Sequence, residues 1–151
     1  MPHVSCGTEV EEEPLMLDFE KINIGDELPA LSKEPIHEIQ LVKYAGASGD
    51  FNPLHFMDSV GKSAGQGGVI AHGMLIMGFI GQAVTNWIPN RSLKRLGVRF
   101  VNVTKPGDTI SITGRVTEKK VLDGKELISC EVTARDQNGQ VKATGSFDAG
   151  F

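Results

Sequence analysis

The C-terminal half of the chain alternates apolar and polar positions with a period of two. Leu96, Val98 and Phe100 alternate with Gly97, Arg99 and Val101, and Ile110, Ile112, Gly114 and Val116 alternate with Ser111, Thr113 and Arg115. Leu127, Ser129, Glu131 and Thr133 then alternate with Ile128, Cys130, Val132 and Ala134. This is the pattern of strands with one face on a core. Lys105-Pro106-Gly107-Asp108 and Asp123-Gly124 mark turns between them. Asn138-Gly139, the strongest short hairpin signal in the chain, leads into Val141 to Phe147. Consecutive strands joined by tight turns predict an antiparallel meander.

A different pattern precedes it. From His72 to about Trp87 the chain is apolar nearly all round, which predicts a helix enclosed by other structure. Gly73, Gly78 and Gly81 each cost such a helix about 1 kcal/mol relative to Ala, which close approach of a sheet or ligand would justify. Glu38 to Ala47 has helical spacing, with Ile39, Val42 and Ala45 or Gly46 on one face and Lys43 opposite. Leu31 to Ile36 predicts a strand ending near Pro35. Asp18 to Leu28 is a short lead-in, where Ile22 and Ile24 alternate with polar neighbours and Gly25-Asp26 turns the chain. Gly61, Gly65, Gly67 and Gly68 predict a flexible flap between Asp58 and Gly68. Residues 1–14, with Glu9, Glu11, Glu12 and Glu13, read as a flexible acidic tail, leaving 15–151 as one domain. One long apolar helix plus this sheet predicts an α+β fold, the helix lying in the concave face of a curved sheet.

Composition narrows the function classes. A chain of 151 residues with 40% hydrophobic and 23% charged positions is ordinary for one globular domain. A formal charge of −4 argues against a nucleic-acid partner. Cys6 and Cys130 make neither a disulfide framework nor a metal motif, so a reducing cytoplasm is expected. The apolar run from Val69 to Ile80 is too short and Gly-rich to enter a bilayer as a span. Gly61-Lys62-Ser63 copies the tail of a phosphate loop, but Phe56 stands where its first Gly is required.

Candidate chemistry concentrates in Ala47-Ser48-Gly49-Asp50-Phe51-Asn52-Pro53-Leu54-His55. Gly49 allows unusual backbone angles, Asn52 can cap a helix, and Pro53 suits its first position. That turn lets the Asp50 carboxylate and the His55 imidazole point at one small volume, as an acid–base pair holding a water. The plainer reading, Asp and Asn as turn residues with no chemical duty, competes with it. The start of the apolar helix offers free N–H groups and a positive dipole end. Gly73, lacking a side chain, would admit an oxyanion to the main chain.

Taken with Tyr44-Ala45, this segment resembles the signature of MaoC-like dehydratases, the (R)-specific enoyl-CoA hydratases. Ala71-His72-Gly73-Met74-Leu75 is similar to the family's other landmark. The resemblance runs from about Gly25 to Phe147 and looks greatest toward the B subunit of (3R)-hydroxyacyl-ACP dehydratases. It implies a single hot-dog fold and reversible hydration of a trans-2-enoyl thioester to a (3R)-3-hydroxyacyl thioester in fatty acid metabolism. It supports Asp50 and His55 as the water-activating pair and Gly73 as the oxyanion donor. It places Asn52 as a positioning residue and leaves His72 a structural role at the helix start. Gly81 stands where some single-chain hydratases carry a Ser. No cofactor is implied, because the acyl group itself arrives as a CoA or phosphopantetheine (acyl-ACP) thioester.

Lys62, Lys94, Arg95 and Arg99 are candidates for the carrier entrance, with the acyl chain passing the Gly and Met side of the helix. A homodimer is the first expectation, with a heterodimer of two hot-dog subunits as the alternative. A hot-dog thioesterase and a non-catalytic tunnel-forming partner are rival readings. A metal site from His55, His72 and Asp50 lacks a close ligand repeat.

Overall fold

The computed structural model describes residues 17–151, so the acidic segment 1–14 lies outside the described residues. The regular elements are β1 (Leu31–Ser32), α1 (Glu38–Ser48), α2 (Asp58–Ser63), α3 (Gly73–Trp87), β2 (Leu93–Phe100), β3 (Ser111–Leu122), β4 (Lys125–Arg135) and β5 (Val141–Gly150). The five strands form one antiparallel sheet in the order β1-β3-β4-β5-β2.

The period-two reading identifies the inner face correctly. Val116, Cys130, Phe147 and Leu96 are cross-strand partners in one row, and Leu31, Ile112, Ala134, Ala143 and Phe100 in another. Within the β3–β5 part of these rows every side chain is buried. Irregularities between Val116 and Glu118, Leu93 and Arg95, and Ala134 and Arg135 bend the strands, which adds twist and lets the sheet curl. The meander itself holds only for β3, β4 and β5. The chain leaves β2, crosses the sheet, and returns, so that β2 pairs with β5 instead of β3. Turn signals record where a chain reverses, not which neighbour it returns to.

Into the concave face packs α3, burying Leu75, Ile76, Phe79, Ile80, Ala83 and Val84. This is the hot-dog arrangement of a helix wrapped by a curved sheet. The helix is not enclosed all round within this chain, however. Met74, Gly78, Gln82 and Thr85 form an exposed stripe at helical spacing, and a Cβ on Gly78 or Gly81 would touch nothing within 4 Å. No helix among the described residues is long and apolar enough to cross a membrane.

Three local expectations need correction. Helix α1 buries Leu41 and Ala45, four residues apart, while Ile39 and Val42 are exposed. Its apolar positions fall on two faces, and the one bearing Tyr44 as a partly buried neighbour meets the core. The strand expected over Leu31 to Ile36 is regular only for two residues. Lys33 and Ile36 still donate to Ile110 and Asp108, with Pro35 breaking the ladder between them. The expected flap is a packed element: α2 carries an Asp58–Lys62 ion pair, and a Cβ on Gly61 would run into the Gly68 carbonyl.

Candidate active site

The site is built where α1 stops. Gly49 adopts φ 75° and donates to the Ala45 carbonyl, closing the helix in the left-handed conformation that favours glycine. The chain then folds on itself through its own polar side chains. Asp50 N–H donates to Ser48 Oγ at 3.2 Å, and Asn52 N–H donates to Asp50 Oδ1 at 3.2 Å. Asn52 Oδ1 accepts from Leu54 N–H at 3.1 Å, capping a single 3-10 turn, Pro53–His55, that begins with the proline. Asn52 is therefore spent on holding the turn.

His55 is buried, and its Nδ1 lies 2.8 Å from the Ile70 carbonyl. A carbonyl only accepts, so Nδ1 carries a proton, and in the neutral form of the ring Nε2 is the nitrogen left as an acceptor. That Nε2 faces Asp50 Oδ2 at 3.8 Å. Two acceptors at this separation do not bond each other directly; they need a shared donor between them.

His72, which belongs to the second landmark of the sequence and precedes the first residue of α3, is 1% exposed. Its ring stacks on His55 with centroids 3.8 Å apart and planes 23° from parallel, and Tyr44 meets it edge-on at 4.9 Å. Its Nε2 is 3.2 Å from the Asp50 carbonyl, to which it donates, while Nδ1 is buried without a partner among the described residues. Burial pushes the His72 ring below the ordinary imidazole range, and neighbouring His55 adds to this. A folded chain that refuses a proton the unfolded chain accepts loses stability as pH falls. Wild type should accordingly lose denaturant resistance from about pH 6.5 downward, in the window set by the ordinary imidazole value. Urea midpoints at pH 7.5 and 5.5 should fall further apart for wild type than for His72→Gln; equal slopes would contradict this.

Asp50, His55 and His72 present possible ligand atoms within 4.8 Å of one another. Stacked rings send their in-plane lone pairs side by side, however, and a metal needs them to converge. The arrangement suits a small hydrogen-bonding molecule better.

Beside His55 opens a cleft of about 280 Å³ lined by Ile70, Ala71, Gly73, Ile76, the segment Phe100–Thr104 and Lys142. Gly73, the first residue of α3, has an N–H with no intrahelical partner. A Cβ there would sit 3.1–3.3 Å from the Phe100 ring, so glycine keeps this corner open. The structure thus brings Asp50, Asn52, His55 and His72 into one cluster, with Gly73 on the cleft that His55 lines.

It does not bring the entrance candidates to the cleft: Lys62 pairs with Asp58, Arg95 with Asp148, and Lys94 donates to the Arg91 carbonyl. None of these, nor Arg99, lines it. The cleft follows Gly73 and Ile76, away from the Met74 and Gly78 stripe. Phe100–Thr104 and Lys142 escape sequence reasoning, because they reach the site through β2 pairing with β5, which no local pattern signals.

Curved sheet and central helix define a hot-dog domain, with a carboxylate–imidazole cluster at that helix's leading end. Residues 19–138 match the MaoC like domain, and the chain belongs to that family. It is 32% identical over 134 residues to a protein of Rhodospirillum rubrum named (R)-specific enoyl-CoA hydratase, covering 76% of this chain and 88% of that one. Six other curated relatives are much longer, and the chain spans 5–29% of their length. Among solved structures, the (R)-hydratase of A. caviae shares the fold with a TM-score of 0.74 at 21% identity, over 86% of this chain and 97% of that one. The ChsH1-ChsH2 complex from Mycobacterium tuberculosis gives 0.71 at 25% identity, over 84% and 96%.

Proposed function

We propose that this chain adds water reversibly across the double bond of trans-2-enoyl thioesters, giving (3R)-3-hydroxyacyl thioesters carried on CoA or an acyl carrier protein. The observation that carries the reading is the pair of acceptors, Asp50 Oδ2 and His55 Nε2, facing each other at 3.8 Å. A water at about 2.8 Å from each would donate one hydrogen to each and leave a lone pair for C3. As its oxygen bonds to C3, one proton passes to the pair, and the π electrons move through C2 onto the thioester oxygen. The Gly73 N–H and the α3 dipole stabilise that oxygen. The pair then returns a proton to C2, which balances the addition. The names of the Rhodospirillum rubrum relative and the A. caviae structure support this chemistry.

His72 acts through position: its bond to the Asp50 carbonyl and its stack on His55 tie both halves of the pair to the start of α3. Asn52 acts through the turn. The reading is tested by following enoyl absorbance when purified protein meets crotonyl-CoA, with a thiol reagent present in parallel. Loss of absorbance without free thiol is expected; thiol release at the same rate would make the protein a thioesterase.

A second hot-dog subunit is part of this reading. Among the described residues β2 pairs on one side only, and Phe100 and Val101 are exposed at its end. An open strand edge is a pairing surface, and a neighbouring structure is itself a complex of two named chains. A homodimer is expected on light scattering, and a monomer that gains activity with another hot-dog chain would favour the heterodimer. The buried Cys130 thiol, pushed up to about 12 by burial and then by Asp148, is free and suits a reducing cytoplasm.

A further inference from the structure

Lys142, near the start of β5, is only 5% exposed although it carries a charge. Four oxygens surround its Nζ: Gln140 Oε1 at 2.8 Å, the Val103 carbonyl at 3.0 Å, Asp136 Oδ2 at 3.1 Å and Asp108 Oδ2 at 3.3 Å. An ammonium has three hydrogens to give, so none is left for a bound anion, and Lys142 is not a substrate ligand.

What it holds is the far wall of the cleft. Its ammonium grips Val103 and its carbonyl accepts from Val101 N–H at 2.9 Å and Asn102 N–H at 3.3 Å, while Asn102 Nδ2 donates to the Val141 carbonyl at 2.7 Å. The next residue, Thr104, accepts from Ala71 N–H at 2.7 Å, two residues before Gly73. The wall is thus tied to the peptide that leads into the proposed oxyanion donor.

The two carboxylates are themselves fixed by turns. Asp108 Oδ2 accepts from Lys105 N–H at 2.9 Å, and Asp136 Oδ1 from Asn138 and Gln140 N–H, each at 2.9 Å. Burial pushes the Asp136 carboxyl up, but Lys142 and those two amides outweigh it and hold it below the ordinary range. A buried cation paired this way is costly to bury and strongly destabilising to break. Beside a cleft, such a group fixes neighbouring main chain in a way that an apolar residue would not.

We propose that Lys142 is a positioning residue for thioester binding, whose buried ammonium locks the Val101–Thr104 wall against the leading end of α3. This rests on the hydratase reading for its kinetic consequence, but not for its structural one. Lys142→Met should raise KM for enoyl-CoA about tenfold and lower kcat by less than about tenfold, because the cleft wall is disturbed directly and the Gly73 amide only through Ala71. Lys142→Arg, which keeps a charge for both carboxylates, should recover part of the loss.

Hydrogen exchange supplies a readout independent of activity: the hydrogen-bonded amides of Ile70, Ala71, Val101 and Asn102 should exchange faster in Lys142→Met than in wild type. Unchanged exchange and unchanged KM would overturn the proposal, as would a loss confined to kcat. If Lys142→Met does not fold, Asp108→Asn and Asp136→Asn replace it; faster exchange with raised KM supports the proposal, and wild-type values in both overturn it. Should wild type itself lack thioester activity, the hydratase reading falls, and exchange alone still decides whether Lys142 holds the wall.

Discussion

Removing either half of the acceptor pair should lower kcat for enoyl thioester hydration by about 10²–10⁴, the range typical of a positioned general acid or base. Asp50→Asn is the cleaner variant. The Asp50 side chain is 52% exposed, so the isosteric amide costs little stability, and the side-chain oxygen can still accept from Asn52 N–H. What is lost is the charge, and with it an acceptor for the water's second hydrogen. His55→Ala removes three things together: Nε2, the Nδ1 bond to Ile70 and the stack on His72. His55→Asn separates them, since its amide nitrogen can take the place of Nδ1 opposite the Ile70 carbonyl while nothing replaces Nε2. Steady-state kinetics beside thermal unfolding should therefore show His55→Asn closer to wild type in stability than His55→Ala, and equally depressed in rate. Activity retained in both Asp50→Asn and His55→Asn would remove the pair from the chemistry.

The second large effect concerns the main chain at the start of α3. Gly73→Pro deletes one N–H at a position where a helix does not need it, since proline is favoured at a first helical residue. The preceding residue, His72, has φ −59° and ψ 130°, the extended backbone that a following proline demands. Loss of the donor should cost about 10²–10³ in kcat. The added carbons approach the Phe100 ring, so Gly73→Ala is the control: it brings a Cβ within 3.1–3.3 Å of that ring but keeps the N–H. Phe100 is 48% exposed and can turn aside. Gly73→Ala should fall less than about tenfold. Proline and alanine variants of equal activity would mean that the Gly73 amide does not meet the developing charge.

These two predictions use parts of the molecule that were legible in the sequence for a common reason: each is local. Gly49, Asp50, Asn52 and Pro53 determine a turn by bonds among neighbours, and the structure forms those bonds. The inner faces of β3 to β5 follow from alternation, because a strand has only two faces to choose between. Helix α1 has no such restriction. Ile39, Val42, Leu41 and Ala45 all offer apolar surface, and only the position of the core decides that Leu41 and Ala45 are buried.

The glycines after Asp58 misled for a related reason. A run of glycine signals freedom unless a partner backbone closes on it, as Gly68 does on Gly61. The cleft wall was beyond local reasoning altogether. Phe100 and Lys142 lie in strands that pair only after the chain has crossed the sheet, and Lys142 finds Asp108 and Asp136 across two separate turns. Nothing in the spacing of those residues records that meeting.

The central claim is that water, held between Asp50 and His55, is added at C3 of an enoyl thioester whose thioester bond stays intact. The most direct measurement is mass and chiral analysis of the product formed from a trans-2-enoyl-CoA in ¹⁸O-enriched water. The account predicts a (3R)-3-hydroxyacyl-CoA with one ¹⁸O at C3 and no free CoA. Label found instead in a released carboxylic acid, or no hydroxyacyl product from wild type under conditions where the fold is intact, would contradict it.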